Sequence, residues 1–500
     1  MRQHGKGSLI AISLDSSQPE PLFRQLYTEL RQAILVGRLR SGDRMPASRA
    51  LADELGISRN TALAAFEQLA SEGYLVTREG SGTFVADNLP DLAPRSRDRL
   101  KRELSTTSPA PEIAQRSAIL LDAVRARPET PGGKWWPCFA PGFSDHTDFP
   151  FALWGRLLGR AWRNPKQELV IGGDPGGYPP LRAAIAQYLR QARGIDCAPE
   201  DILIVSGIRQ AVDLTCRLLL ETGDAAWIER PGFPGLGAAI AAGGGRLVHV
   251  TVDEEGLDIA DGLRQAPKAR LACVAPSHQY PLGVVMSLQR RLALLAWARD
   301  AKAWILEDDY DSEFRYAGRP LAALRSLDRD GRVIYVGTLS KLLFPSLRVG
   351  YLVVPPALSD AFRRARAIVD DQPAMATQPA LAAFFEDGHL AAHVRRMRKR
   401  YAHRQRLLLD AARDHFGDRI ALRPDVAGLH LVADYGAGIL RARSDTAISA
   451  QLAEAGLTVP PLSAYDVGPS KRQGLMFGYA AVPDDKIASG IKAIARTLGL

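Results

Sequence analysis

The run Val333-Ile334-Tyr335-Val336-Gly337-Thr338-Leu339-Ser340-Lys341-Leu342-Leu343-Phe344 sets a lysine just past a buried-strand pattern, with apolar residues on both sides. Lysine is scarce in this chain, 11 against 53 arginines, and an ammonium in such surroundings is costly. Loss of hydration depresses the amine's pKa, and the free amine can then bond an aldehyde as a Schiff base. The spacing does not say which aldehyde, and a lysine snorkelling from a strand end is the other reading. Upstream, Trp304-Ile305-Leu306 runs into Glu307-Asp308-Asp309-Tyr310-Asp311, which puts carboxylates at the C-terminal edge of a parallel strand, where α/β sheets bind ligands. A pyridoxal phosphate ring needs such a group: a carboxylate beside the pyridine nitrogen keeps it protonated and makes the ring an electron sink. A tyrosine two residues later lies on the same side of an extended chain and reaches the ring hydroxyl. A calcium-like or merely solvated acidic loop has the same composition.

Ile202-Leu203-Ile204-Val205 runs into Ser206-Gly207-Ile208-Arg209-Gln210 and then a helix, so unsatisfied N–H groups at that helix start can cradle a phosphate. Arg348, seven residues after Lys341, supplies a cation able to pair with phosphate in bidentate fashion, and Thr338 and Ser340 supply hydroxyls. Phe233, within Pro231-Gly232-Phe233-Pro234, offers a flat face for a pyridine ring or fills a core.

A different chemistry stands near the N-terminus. Ser58-Arg59-Asn60-Thr61 places four hydrogen-bonding side chains at a helix start, where a recognition helix enters the major groove. Arginine reads guanine edges and asparagine reads adenine edges; a capped surface helix would carry the same residues. Glycines at Gly80 and Gly82 and Arg49 beside the turn favour the nucleic-acid reading.

These stations need elements to hold them. Leu22, Leu26, Leu30 and Ile34, with Phe23 and Ala33 beside them, predict a first helix that Gly37 ends. Pro46-Ala47-Ser48 offers an N-cap to a short helix carrying Leu51, Ala52 and Leu55, and Gly56-Ile57-Ser58 makes a tight turn and the next cap. Tyr74–Thr77 and Thr83–Val85 flank Gly80-Ser81-Gly82 as a hairpin. Three helices and a hairpin make a winged helix-turn-helix over residues 10–86. From 87 to 134 the periodicity fades into prolines mixed with Arg, Ser and Asp, which is linker chemistry. Over 135–500 short apolar strands (Ile202–Val205, Ala225–Ile228, Leu271–Val274, Trp304–Leu306, Val333–Val336) alternate with helical stretches, which predicts a mostly parallel sheet covered by helices.

With 500 residues, 46% hydrophobic and 24% charged, the chain is too long and too apolar for a disordered chain or a small disulfide scaffold. Four scattered cysteines argue for a reducing compartment and against a structural metal. No stretch reaches the roughly 18 apolar residues of a membrane span, so the expected location is the cytoplasm. The net charge of +9 suits an anionic partner. Residues 1–86, however, carry 10 basic against 9 acidic side chains, so the excess does not lie with the helix-turn-helix.

Pro21-Leu22-Phe23-Arg24-Gln25-Leu26-Tyr27, Pro46-Ala47-Ser48-Arg49-Ala50-Leu51-Ala52, Gly56-Ile57-Ser58-Arg59-Asn60-Thr61 and Gly80-Ser81-Gly82-Thr83-Phe84-Val85 resemble the GntR-type winged helix. The resemblance implies DNA contacts through Arg49, Ser58, Arg59, Asn60 and Thr61, with the wing around Gly80 and Gly82. Gly176-Gly177-Tyr178-Pro179-Pro180-Leu181-Arg182, Pro276-Ser277-His278-Gln279-Tyr280-Pro281-Leu282-Gly283 and Glu307 to Tyr316 resemble an α/β fold-type I, aspartate-aminotransferase-like domain. The order of winged helix, linker and aminotransferase-like domain is similar to the MocR/GabR family of transcriptional regulators, over nearly the whole chain. By that similarity the cofactor is pyridoxal 5'-phosphate, bonded to Lys341. Asp308 meets the pyridine nitrogen, Tyr310 the ring hydroxyl, Phe233 stacks, Tyr280 lines the site, and Ile208, Arg209, Thr338, Ser340 and Arg348 surround the phosphate. The resemblance also implies a homodimer, a double-stranded DNA operator, and an effector that is an amine, an amino acid or a B6 vitamer.

Three positions depart from the pattern. Gly172 stands where aminotransferases usually carry a tyrosine that reaches the partner subunit's phosphate, Arg209 where the family commonly has glutamine, and Met476 where an arginine clamps the substrate carboxylate. They weigh against the alternative of an active aminotransferase whose winged helix only autoregulates. The basic run Arg395-Arg396-Met397-Arg398-Lys399-Arg400, with Arg404 and Arg406, reads as a solvated helix face or as a second DNA-contacting face.

Overall fold

The computed structural model describes residues 12, 14, 15, 17–78, 80–89, 139–318, 321–434, 443–468 and 472–500, so the expected linker beyond residue 89 and Cys138 lie outside the described residues. The described residues fall into two units, divided in sequence between Glu112 and Ile113.

In the first unit, α1 (Leu22–Leu35), α2 (Ser48–Leu55) and α3 (Arg59–Ser71) precede a hairpin of β1 (Leu75–Arg78) and β2 (Gly82–Val85). Leu26, Leu30, Ala33 and Ile34 of α1 are buried against Leu51, Ala62, Phe66 and Leu69, as their four-residue spacing requires. Phe23, beside that stripe in sequence, is exposed. The cap of α2 differs from expectation: Ala47 is the cap residue and makes no side-chain bond, while Ser48 is the first helical residue. Gly56 ends α2 in the left-handed region at φ 67°, a conformation that favours glycine. The hairpin pairs antiparallel with Leu75 opposite Val85 and Arg78 opposite Gly82.

The second unit is built on an eight-stranded sheet in the order β3-β10-β9-β8-β7-β4-β5-β6. Its strands are β3 (Ile202–Val205), β4 (Ala225–Arg230), β5 (Arg246–Asp253), β6 (Gly256–Leu257), β7 (Leu271–Val274), β8 (Trp304–Asp309), β9 (Val333–Thr338) and β10 (Gly350–Val353). The central pairs β5/β4, β4/β7, β7/β8 and β8/β9 are parallel. β10 runs antiparallel between β3 and β9, and β6 runs antiparallel to β5. Strands covered on both faces read as continuous apolar runs, and β3, β7 and β10 are buried at every residue. Several strands run two or three residues further than their apolar runs. β8 carries Glu307, Asp308 and Asp309 inside the strand, and β9 carries Gly337 and Thr338.

A smaller antiparallel sheet joins β11 (Ala421–Leu422), β12 (His430–Asp434) and β13 (Leu475–Gly478). It packs with α6 (His389–Phe416) and α7 (Asp484–Leu498), and Leu431, Phe477, Phe416 and Ile491 share one core. Among the described residues no helix is long and apolar enough to cross a membrane.

Candidate functional site

In the second unit the chemistry gathers at the C-terminal edges of β3, β8 and β9. Past β9, Leu339, Leu342 and Leu343 are wholly buried, which fixes the turn and leaves Lys341 half-buried between them. The Lys341 Nζ donates to the carbonyl of Gly142, a partner 199 residues away in sequence that no motif announced. A Cβ on Gly142 would lie 3.1 Å from that Nζ, and Gly142 has φ +85°, so glycine lets the chain approach the amine.

Successive side chains of β8 alternate between faces. Glu307 accepts from the backbone N–H groups of Leu324 (2.8 Å) and Arg325 (2.7 Å). Asp309 accepts from the Tyr335 hydroxyl (2.7 Å) and pairs with Arg193 (2.5 Å) on α4 (Pro179–Arg193). Asp308 therefore points to the other face, with Lys341 near enough to act on its charge. Burial, then the charges of Asp309 and Asp311, push the Asp308 carboxyl up to about 7 against the pull of Lys341. A cationic ring nitrogen beside it would restore the carboxylate.

Tyr310, two residues on, has its hydroxyl 3.1 Å from His278 Nδ1; burial, then Asp311, Tyr280 and Asp308, push its pKa well up. Tyr280 packs edge-on against both Phe233 and Tyr310, with ring centroids 6.0 and 5.9 Å apart. The phosphate candidates come together across three strands. Gly350 opens β10 between Val205 of β3 and Thr338 of β9. A Cβ on Gly350 would meet Gly207 Cα at 3.4 Å, and one on Gly207 would meet an Arg348 guanidinium nitrogen at 3.4 Å. Gly207, at φ +134°, caps α5 (Ile208–Leu219), so the N–H groups of Ile208 and Arg209 stand at its positive end. The Thr338 hydroxyl accepts from the Ser340 backbone N–H at 3.2 Å. Ser340 Oγ is buried with no partner among the described residues, and a buried hydroxyl without a partner is costly. The arrangement fits a phosphate at this turn. Arg209 turns the other way: its Nε lies 3.2 Å from where a Cβ on Gly235 would stand, beside the Phe233 ring.

The departures have structural reasons. Gly172 has φ +124°, which a tyrosine would adopt only with strain, and Gln372 accepts from the adjoining Gly173 N–H. Met476 is buried and pairs with Val432, two residues from the His430–Gly478 pair. It therefore shares the sheet face of His430, whose ring lies 5.2 Å from that of Tyr280. In the basic run on α6, Arg395, Arg396, Arg398, Lys399 and Arg406 are exposed, as on a solvated face, while four of its arginines also bond within the chain. Arg400 pairs with Asp145 (3.2 Å) and Asp148, Arg404 with Asp145 (2.9 Å) and Asp484 (2.7 Å), and Arg396 and Arg398 donate to backbone carbonyls.

In the first unit Ser58 caps α3: its Oγ accepts from Thr61 N (3.1 Å) and lies 2.8 Å from Thr61 Oγ1. Arg49, Ser58, Arg59 and Asn60 are exposed, as is Gly80 at the wing tip, while Thr61 and Gly82 are half-buried. The backbone of Gly82 is flanked by the Arg44 guanidinium.

The fold and these residues define a helix-turn-helix joined in one chain to an aminotransferase-type domain. Residues 22–85 match the model of bacterial regulatory proteins of the gntR family, and residues 160–494 match aminotransferase class I and II. The chain is 39% identical over 481 residues to the probable rhizopine catabolism regulatory protein MocR of Rhizobium meliloti, covering 96% of this chain and 94% of that protein. It is 33% identical to the pyridoxine biosynthesis transcriptional regulator PdxR of Corynebacterium glutamicum, covering 98% and 99%. A kynurenine aminotransferase of Pyrococcus horikoshii, solved in complex with PMP, superposes with a TM-score of 0.66 at 25% identity over 80% of this chain and 96% of that one. The chain belongs to the MocR-like family of HTH-type transcriptional regulators, which carry an aminotransferase class I and II domain.

Proposed function

We propose that this protein is a cytoplasmic, homodimeric transcriptional regulator. Its residues 10–86 bind a double-stranded DNA operator, and its residues 135–500 hold pyridoxal phosphate (PLP) to sense an amine, an amino acid or a B6 vitamer, with 87–134 as linker. The observation that carries the cofactor reading is the convergence of the Ser340 hydroxyl, which has no partner among the described residues, the start of α5 and Arg348, with Ser340 adjacent to Lys341 and Arg348 seven residues after it.

When bound, PLP supplies an aldehyde that an amine bonds reversibly and a ring that draws electrons from that bond. Lys341 supplies the amine, and the Gly142 carbonyl steadies its ammonium until then. Asp308 holds a proton on the ring nitrogen, Tyr310 donates to the ring hydroxyl, and Phe233 and Tyr280 exclude water from the ring. The N–H groups of Ile208 and Arg209, with Thr338, Ser340 and Arg348, grip the phosphate. An effector amine competing with Lys341 then changes what the site holds. The enzyme alternative lacks support at Met476, whose thioether cannot clamp a carboxylate on the His430 face.

Borohydride reduction of the PLP-treated protein followed by peptide mapping tests the reading. Label on Lys341, lost in Lys341→Ala, is expected; label elsewhere, or none, overturns it.

A further inference from the structure

The family motif accounts for Tyr310, and the function proposed above leaves His278 unused. His278 is almost wholly buried, at 2% exposure, yet it is held at both ring nitrogens. Nδ1 lies 2.8 Å from Asp311 Oδ2 and 3.1 Å from the Tyr310 hydroxyl. Nε2 lies 3.1 Å from Asp425 Oδ2. Asp311 follows β8 of the large sheet and Asp425 lies in the loop that leads into β12 of the small one, 147 residues from His278. The surroundings are cleared for the ring. A Cβ on Gly428 would lie 2.3 Å from His278 Cε1, and one on Gly283 would lie 2.5 Å from Asp425 Oδ2. Both glycines have positive φ, +95° and +76°, so the backbone on either side of the imidazole takes conformations that favour glycine.

Two carboxylates at opposite ring nitrogens fix the protonation state. Each needs a donor, and only an imidazolium donates from both nitrogens. Burial disfavours that cation, but the charge and hydrogen bond of Asp311, then those of Asp425, outweigh it and raise the pKa to about 10. The remaining groups facing the ring are the Tyr310 hydroxyl, His430, which is neutral, and the guanidiniums of Arg193 and Arg315 around a small cavity beside it. An imidazolium has no lone pair to offer, so the Tyr310 oxygen is the acceptor in that contact, and its own hydroxyl hydrogen is left to bond Asp311 until a ligand takes it.

We infer that His278 is a positioning residue. Clamped between Asp311 and Asp425, it orients the Tyr310 hydroxyl toward the cofactor and ties the loop before β12 to the cofactor's electronic state. This rests on the PLP reading. A cation within hydrogen-bonding distance of the tyrosine oxygen favours negative charge on the ring oxygen beyond it, so removing that cation makes the cofactor–lysine bond hold its proton more tightly.

The test is a pH titration of the visible band of the PLP-loaded protein, in wild type, His278→Gln, Asp425→Asn and Asp425→Glu, with bound PLP quantified by alkaline release. His278→Gln is expected to raise the midpoint by about one pH unit, a tenfold change in proton affinity. Asp425→Asn, a change at a half-exposed loop residue far from the cofactor in sequence, should shift it the same way by less, and Asp425→Glu should restore it. Wild-type midpoints in both His278→Gln and Asp425→Asn with full PLP occupancy would overturn the inference and leave the cofactor reading intact. If His278→Gln does not fold, Asp425→Asn with its Glu rescue decides alone. A wild type with no visible band would sink the cofactor reading, and this inference with it.

Discussion

Arg348 holds its guanidinium 3.4 Å from the point where a side chain on Gly207 would begin, although 141 residues separate them. Gly207 at φ +134° leaves room for an anion between the start of α5 and that cation. Arg348→Ala should weaken PLP binding roughly 10- to 100-fold, the worth of a charge-assisted hydrogen bond to phosphate. Gly207→Ala should act in the same direction, since it both strains the backbone and fills the space. Fluorescence titration of the apoprotein with PLP measures both, and pyridoxal without its phosphate should bind wild type and Arg348→Ala alike.

Much of this site is readable as short motifs because each lies at the end of one strand. Lys341 follows β9, Asp308 lies one residue before the end of β8 and Ile208 follows β3, so strand-end position and residue type suffice. Gly142 and the Asp425–His278–Asp311 clamp are not readable, because their partners meet only through the tertiary fold, across gaps of 199 and 147 residues. The same distinction holds for the strands. The strands β3, β7 and β9 announce themselves as apolar runs, whereas β5, near the sheet edge, is buried only at alternate residues along Val248, Val250 and Val252. β10 is only four residues long and follows Arg348 at φ +51° with no turn motif to mark its start.

At the recognition helix, capping and reading should separate. Ser58 spends its hydroxyl on the helix start, so Ser58→Ala should cost about 1 kcal/mol of stability in the winged helix and weaken cognate and random DNA in similar proportion. Arg59, exposed at the first residue of α3, should cost about 1–3 kcal/mol on the cognate site when changed to alanine, and relax discrimination. Equal losses on cognate and random duplexes for Arg59→Ala would refute base reading.

Two neutral histidines make the second unit sensitive to acid. His393 Nδ1 accepts from Arg396 at 3.1 Å, so its Nε2 carries the hydrogen and donates to the Leu342 carbonyl at 2.9 Å, next to Lys341. His430 Nε2 donates to the Pro281 carbonyl at 2.8 Å. Burial, with Arg396 near the first and His278 near the second, lowers both pKa values to about 4. An unfolded chain takes up these protons near pH 6.5, before the folded one does. The stabilising contribution is thus complete above pH 6.5 and drains away as the pH falls toward 4, on the order of 1–3 kcal/mol per histidine. Urea unfolding between pH 7.5 and 4.5 should show a steeper acid loss for wild type than for His393→Gln; parallel curves would contradict the assignment.

The regulatory reading carries a thermodynamic demand. An effector alters DNA affinity only through a difference in its own affinity for two states of the protein. By linkage, DNA must then alter effector affinity by the same factor, a coupling of typically about 1–3 kcal/mol, or roughly 5- to 150-fold. Titrating PLP, and then amines on the PLP-loaded protein, with and without operator should give unequal affinities for at least one ligand. Operator binding measured with and without that ligand should return the same ratio. Lys341→Ala should abolish the ratio for amines while leaving operator binding itself in place, because in the proposed function an effector displaces the amine at Lys341, whereas the proposed DNA-reading residues belong to the winged helix. Identical affinities for every ligand that binds would reduce the aminotransferase-type domain to a dimerisation platform and remove sensing from the proposed function.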